Sequence, residues 1–276
     1  MAMTAHTDIP PELAAAPGAR VLMSLPPPGP SMEVAIRLQS CDSALPTLHP
    51  CALPCHHLWA QRQEPHMMAA IRQLHHPLSP YMRIPALDLT ALAAIEANEA
   101  RIYQEWRRTL RWPLSINDIQ RFISLCTRGD GALRTTPVWI RSHDGRSQLP
   151  MVPADLSVER WAELMRQLAD GVFGVGMRAA VQLLALVNNA HAFADGNGRL
   201  GRALFNWCLH QAGLPDECFV PLKTLTVFSR GGYEIRLREA ELYGRWDGLY
   251  AYHCTAVDIY AWLGKTPAAP DMIKDV

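Results

Sequence analysis

What this sequence lacks narrows its function before any motif is read. It has no excess of charge of either sign, with 26 lysines and arginines against 26 aspartates and glutamates. Such a chain has no global basic field with which to gather nucleic acid. Local basic spots such as Arg107-Arg108 and Arg111 read as solvated helix faces. No apolar run approaches the roughly 20 residues of a membrane span. No basic segment followed by an apolar stretch opens the chain, so export by that route is not expected. The expectation is a protein with neither nucleic-acid nor membrane partners.

Regular cysteine spacing is missing too. The 7 cysteines are odd in number and scattered, which argues against a disulfide framework. Cys126, Cys208 and Cys254 lie in apolar helical contexts and read as buried thiols. Cys51-Ala-Leu-Pro-Cys55-His56-His57 could in principle take zinc. It has no matching ligand pair downstream, so an irregular segment is the simpler reading. Strand signals are equally scarce, and nothing repeats at a fixed period.

What is present is helical periodicity, enough for one good core in 276 residues. Residues 1–65 are Pro-rich and without sustained period, and they read as a loosely ordered arm. A secretion signal for a specialised export system or a plain tail would both fit that composition. A helix is expected over Met67–Leu74, then a long one over 88–110 with Leu89, Leu92, Ile95, Ile102, Trp106 and Leu110 as its apolar stripe. Ser115 with Asp118 makes a capping pair for the next helix. The period then changes to two: Thr136–Ser142 and Arg146–Val152 flank the turn signal His143-Asp144-Gly145, forming the one convincing hairpin. Ser157 is read as the cap of a helix through Leu168. Met177–Asn189, Leu200–Gly213, Tyr233–Tyr243 and Trp246–Leu263 follow as helices, and 265–276 is a polar tail. A single body from 66 to 264 is the expected domain.

The most informative stretch is His191-Ala-Phe-Ala-Asp-Gly-Asn-Gly-Arg-Leu-Gly-Arg202, a joint between two apolar helices. The mouth of the second helix offers unpaired N–H groups and a positive dipole end, which favour an anion. Arg199 and Arg202 are three apart, so both forks can reach the same anion. His191 places a group that titrates near neutral pH beside this cradle, suited to general base work. Asp195 is a hard oxygen ligand of the kind Mg²⁺ prefers next to phosphates, and Asp is also a preferred helix cap. Phe193 is expected to point inward. His143, His210 and His253 read as structural.

At these residues the chain resembles the Fic (filamentation induced by cAMP) family, whose signature is H-x-F-x-(D/E)-G-N-G-R-x-x-R. Every specified position is met, a far sharper signal than a lone Gly-rich loop. The resemblance implies a mainly α fold: a helical bundle with one β-hairpin flap over the active-site cleft. It implies a transferase that moves AMP from ATP to a Ser, Thr or Tyr hydroxyl of a target protein, with Mg²⁺. Carried over, His191 is the base and Asp195 the metal ligand. Gly196, Asn197 and Gly198 form the anion hole, and Arg199 and Arg202 grip the β- and γ-phosphates. Asn206, a further turn along, is expected to support the nucleotide pocket. The run Gly131–Ile140 resembles the one that introduces the flap, so Val138, Trp139, Ile140, Pro150 and Met151 are expected to dock target peptide by strand addition. The family often has Pro where Ala192 stands. Phosphorylating relatives have Lys at the second glycine, whereas Gly198 is kept here, favouring exposure of the α-phosphate.

Many relatives also carry an inhibitory helix with (S/T)-x-x-x-E-(G/N), whose Glu pairs with the second motif arginine. The nearest match is Ala93-Ala-Ile-Glu96-Ala97, which departs from it at Leu92 and Ala97. Without such a helix, a separate inhibitory partner protein would be expected, or a constitutively active bacterial effector or toxin. Transfer of another nucleotide or phosphate-linked group, and a non-catalytic nucleotide-binding module, are the alternatives. A cytoplasmic protein, or one secreted into a host cell by a specialised system, is expected.

Overall fold

The computed structural model describes residues 22–52, 54–81, 87–110, 114–127, 129, 131–141 and 148–265. Among them eleven α-helices run in order: α1 Met32–Ala44, α2 Pro54–Gln61, α3 Pro65–Leu74, α4 Leu89–Arg107, α5 Ile116–Thr127, then α6 Ala154–Ala169, α7 Met177–Ala190, α8 Asn197–Gln211, α9 Leu222–Phe228, α10 Gly232–Tyr243 and α11 Asp247–Lys265. Between α5 and α6 lie two short strands, β1 Trp139–Arg141 and β2 Gln148–Pro150. The fold is mainly helical. None of the described helices is long and apolar enough to cross a membrane.

The run richest in Ala, Val and Leu becomes the axis of the bundle. In α7 every residue from Met177 to Val187 except Arg178 is buried, as expected of a helix that is apolar nearly all round. It packs along α8 and touches α1, α6 and α11. Truncating Leu183 or Leu186 to Ala there would cost about 2–5 kcal/mol by the usual cavity rule.

Local chemistry sets several helix starts. Asp88 caps α4 by accepting the Ala91 N–H at 2.9 Å. Ser115 and Asp118 form a reciprocal box at the start of α5, with Ser115 N–H on Asp118 Oδ2 at 2.9 Å and Asp118 N–H on Ser115 Oγ at 3.2 Å. Ser157, by contrast, is not a cap. Helix α6 begins at Ala154 after Pro153, and the buried Ser157 hydroxyl donates to the carbonyl of Ala190. The apolar stripe of α4 also differs from the expected one: Ile95 is exposed, whereas Glu96 and Tyr103 are buried.

The Pro-rich arm is the larger correction. From residue 22 onward it is part of the bundle: α1 packs on α7 and α11, and α2 on α4 and α11. Its prolines start helices instead of preventing them, Pro54 opening α2 and Pro65 opening α3. Leu38, Cys41, Leu45, Leu48 and Leu58 are in the core. The arm grips both ends of α7, because Asp42 Oδ1 accepts the Met177 N–H at 2.7 Å and Asn189 Oδ1 accepts the Met23 N–H at 2.8 Å. Residues 1–21 and 266–276, nearly all of the polar tail, lie outside the described residues.

Strands β1 and β2 pair antiparallel, Trp139 opposite Pro150 and Arg141 opposite Gln148. They are shorter than the periodicity suggests, and the turn His143-Asp144-Gly145 lies outside the described residues. The zinc candidate forms no ligand set. Cys51 Sγ lies 3.5 Å from His57 Nδ1 and Cys55 Sγ donates to the Leu89 carbonyl; no group of three metal-binding side chains occurs among the described residues.

Candidate active site

Helix α7 ends by handing the chain to His191, which adopts the left-handed conformation (φ 48°, ψ 50°) as its C-cap. For a residue other than glycine this costs on the order of 1 kcal/mol and persists only where surroundings over-determine it. Here they do. Three successive carbonyls leaving the helix are each captured: that of Ala190 by the Ser157 hydroxyl, that of His191 by Arg134 Nε at 2.7 Å, and that of Ala192 by the Arg134 N–H at 2.9 Å.

The next residues are fixed by side chains turned inward. Phe193 is buried edge-on against Trp161 at 5.2 Å, and Leu133 and Phe193 form an isolated antiparallel bridge. Asn197 is buried and brackets Phe193, accepting its N–H at 3.0 Å and donating to its carbonyl at 2.7 Å. Its amide group is therefore a loop brace, and only its main chain is available to a ligand. Gly196 has φ 89°, and a Cβ there would meet Ile123 and Thr127 of α5 at 3.0 Å, so both conformation and space require glycine.

The opening turn of α8 carries the charged groups. Asp195 is exposed, accepts the Gly196 N–H at 2.6 Å and pairs with Arg199 at 2.7 Å. Burial works to raise the Asp195 carboxyl, but the Arg199 guanidinium and the Gly196 N–H hold it below the usual carboxylate range. His191, Asp195, Gly196, Asn197, Gly198, Arg199 and Arg202 all line one open cavity of about 240 Å³. His191 and Arg202 also line a neighbouring cavity of about 310 Å³, walled by Leu184, Leu222, Lys223 and Tyr233. That second volume is at the lower end of the range for small-molecule sites.

Three expectations change. Arg202 is engaged fork to fork with Glu99, not Glu96: Nε donates to Oε2 at 2.8 Å and Nη2 donates to Oε1. Glu96 lies one turn earlier on α4 and is turned into the core, accepting the Thr224 hydroxyl and, at 3.4 Å, the Cys55 N–H. Asn206 is fully buried; it donates to the carbonyls of Arg202 and Val220 and accepts the Val220 N–H at 2.7 Å. It fixes the loop before α9 and does not enter either cavity. On the hairpin, Trp139 is half exposed and Val138 partly so, but Met151 is buried and offers no docking face.

Burial pushes the Glu96 carboxyl up to about 7, against the Thr224 and Cys55 hydrogen bonds and with help from neighbouring Glu99. Because the folded state holds this proton more tightly than a free glutamate at 4.5, the stability it brings is complete below that value. It is lost as pH rises through 7. Glu96→Gln, which keeps the shape and stays neutral, should gain on the order of 2–3 kcal/mol over wild type at about pH 8 and nothing at about pH 4. Denaturant titrations at the two pH values measure this, and an equal gain at both would refute it.

Gly201 escaped the sequence reading, although it sits inside the motif at an unspecified position. A Cβ on it would lie 2.8 Å from Leu184 Cδ1 and 3.2 Å from the Leu184 carbonyl. The missing side chain lets α8 pack close against Leu184 of α7. Gly201→Val should lower unfolding stability by about 1–3 kcal/mol through overpacking, read as an earlier denaturation midpoint.

The imidazole at one helix end and the charged mouth of the next line one open cavity. Residues 113–209 match the family model described as the Fic/DOC family. Two solved structures share the fold. A Fic family protein from Desulfovibrio desulfuricans G20 superposes with a TM-score of 0.57 and 19% identity, over 85% of this chain and 74% of that one. Fic-1 (residues 134–508) from C. elegans superposes with a TM-score of 0.53 and 19% identity, over 85% and 73%. Comparison with curated proteins finds no match.

Proposed function

We propose that this chain is a Mg²⁺-dependent protein adenylyltransferase restrained by its own helix α4. The observation that carries the reading is the single cavity lined by His191, Asp195, the 196–198 turn, Arg199 and Arg202. The N–H groups of Asn197 and Gly198 open α8 without intrahelical partners and, with the helix dipole, suit a phosphate. Arg199 and Arg202 would grip the terminal phosphates, and the nucleoside would extend into the adjoining cavity. Asp195 is a single exposed carboxylate beside that anion site, which fits Mg²⁺ bound through one or two carboxylates and substrate phosphates. When bound, the ion would neutralise charge on the leaving pyrophosphate.

In this reading His191 takes the proton of a target Ser, Thr or Tyr hydroxyl. That oxygen bonds to the α-phosphorus as the bond to the bridging oxygen breaks, and pyrophosphate leaves. The edge of β1, with Trp139 and Val138, would align the target peptide by strand addition, making the hairpin a flap. Glu99 occupies Arg202 with both carboxylate oxygens, where it competes with the γ-phosphate. This supplies within the chain what a separate inhibitory partner would otherwise provide.

Incubation of the full chain and a cell lysate with α-labelled or γ-labelled ATP tests the reading. Label should reach protein from the α position only. Label from the γ position would make the transfer a phosphorylation, and label from neither, with Mg·ATP bound tightly, would make the chain a binding module.

A further inference from the structure

The Arg134 residue is buried, a costly place for a guanidinium. Among the described residues each of its hydrogen bonds goes to a main-chain carbonyl. Nε donates to His191, Nη1 to Thr136 at 3.2 Å and Nη2 to Val152. Burial lowers its affinity for a proton, yet a guanidinium remains charged in proteins. The three carbonyls belong to separate places: the cap of α7, the approach to β1 and the exit from β2. Its own N–H adds a fourth bond, to Ala192, and Met151 N–H closes on the Val138 carbonyl at 2.9 Å where the two strands begin to pair.

We propose that Arg134 is a positioning residue that locks the root of the hairpin to the strained backbone of His191, so that the base and the strand edge hold one fixed relation. The planar fork is what allows this. Its donors point along set directions to three carbonyls, which a lysine ammonium of similar reach cannot match. The left-handed conformation of His191 is thereby held through the carbonyl that Arg134 binds. The inference rests on the transferase reading for its kinetic consequence, not for its structural one.

Arg134→Lys and Arg134→Met test it in the full-length protein by two independent measurements. Hydrogen exchange should quicken together, by tenfold or more, in peptides covering 133–140, 148–153 and 190–194, with α10 and α11 unchanged. In transfer assays kcat should fall at least tenfold while KM for Mg·ATP stays within twofold, because the phosphate cradle is not touched. Quickening confined to one of the three segments, or a uniform rise over the whole chain, overturns the coupling. So does failure of both variants to fold, which would assign Arg134 to stability alone. If wild type and His191→Ala label targets equally, the transferase reading fails, and the exchange pattern still decides the clamp.

Discussion

His191→Ala should lower the rate of AMP transfer by about 10²–10⁴-fold, the usual contribution of a positioned general base. Mg·ATP binding should change little, since the α8 mouth, Arg199 and Arg202 remain. The effect therefore belongs in kcat, not in KM. Single-turnover kinetics with α-labelled ATP, together with calorimetric titration of Mg·ATP, separate the two. The backbone argument sharpens the expectation. The left-handed conformation of His191 is supported by the Arg134 hydrogen bond to its carbonyl, a main-chain contact that alanine keeps, and alanine meets the same backbone cost there. A variant that still transfers at the wild-type rate would mean the imidazole is not the base.

Glu99→Ala should act in the opposite direction. Its carboxylate holds Arg202 with two charge-assisted hydrogen bonds in a nearly dry position, the side chains being 9% and 18% exposed. Hydrogen bonds to charged groups contribute about 1.5–3 kcal/mol, and each 1.4 kcal/mol is tenfold. Freeing Arg202 should thus raise transfer, or self-labelling, by roughly 10–100-fold and tighten the grip on the γ-phosphate. Glu96→Ala should not do so, because Glu96 faces Thr224 and Cys55 instead. Equal activation by both substitutions would show that loosening α4, and not releasing one arginine, removes the brake.

The motif, the helix ends around it and the inward Phe193 were legible because each depends on neighbours within a few residues. Glu99 was not, since a pairing across 103 positions leaves no trace in spacing. Glu96 has the better match to the family's inhibitory-helix pattern, but one helical turn decides which carboxylate meets the arginine. The arm was misread for a related reason. Proline density suggested disorder, whereas Pro54 and Pro65 occupy first turns, where a missing N–H costs nothing. Asn206 and Ser157 carried polar side chains at plausible functional or capping positions, and both serve main-chain groups distant in sequence.

The hold that α1 and residue 23 have on the two ends of α7 sets a rule for anyone trimming the gene. A fragment begun near residue 66, the boundary composition suggests, would leave the first amide of α7 uncapped and strip Leu38, Cys41 and Leu45 from the core. It would also remove the Met23 N–H that Asn189 accepts, two positions ahead of the imidazole. A shortened chain should therefore start upstream of residue 22; one begun near residue 66 is expected to come out insoluble.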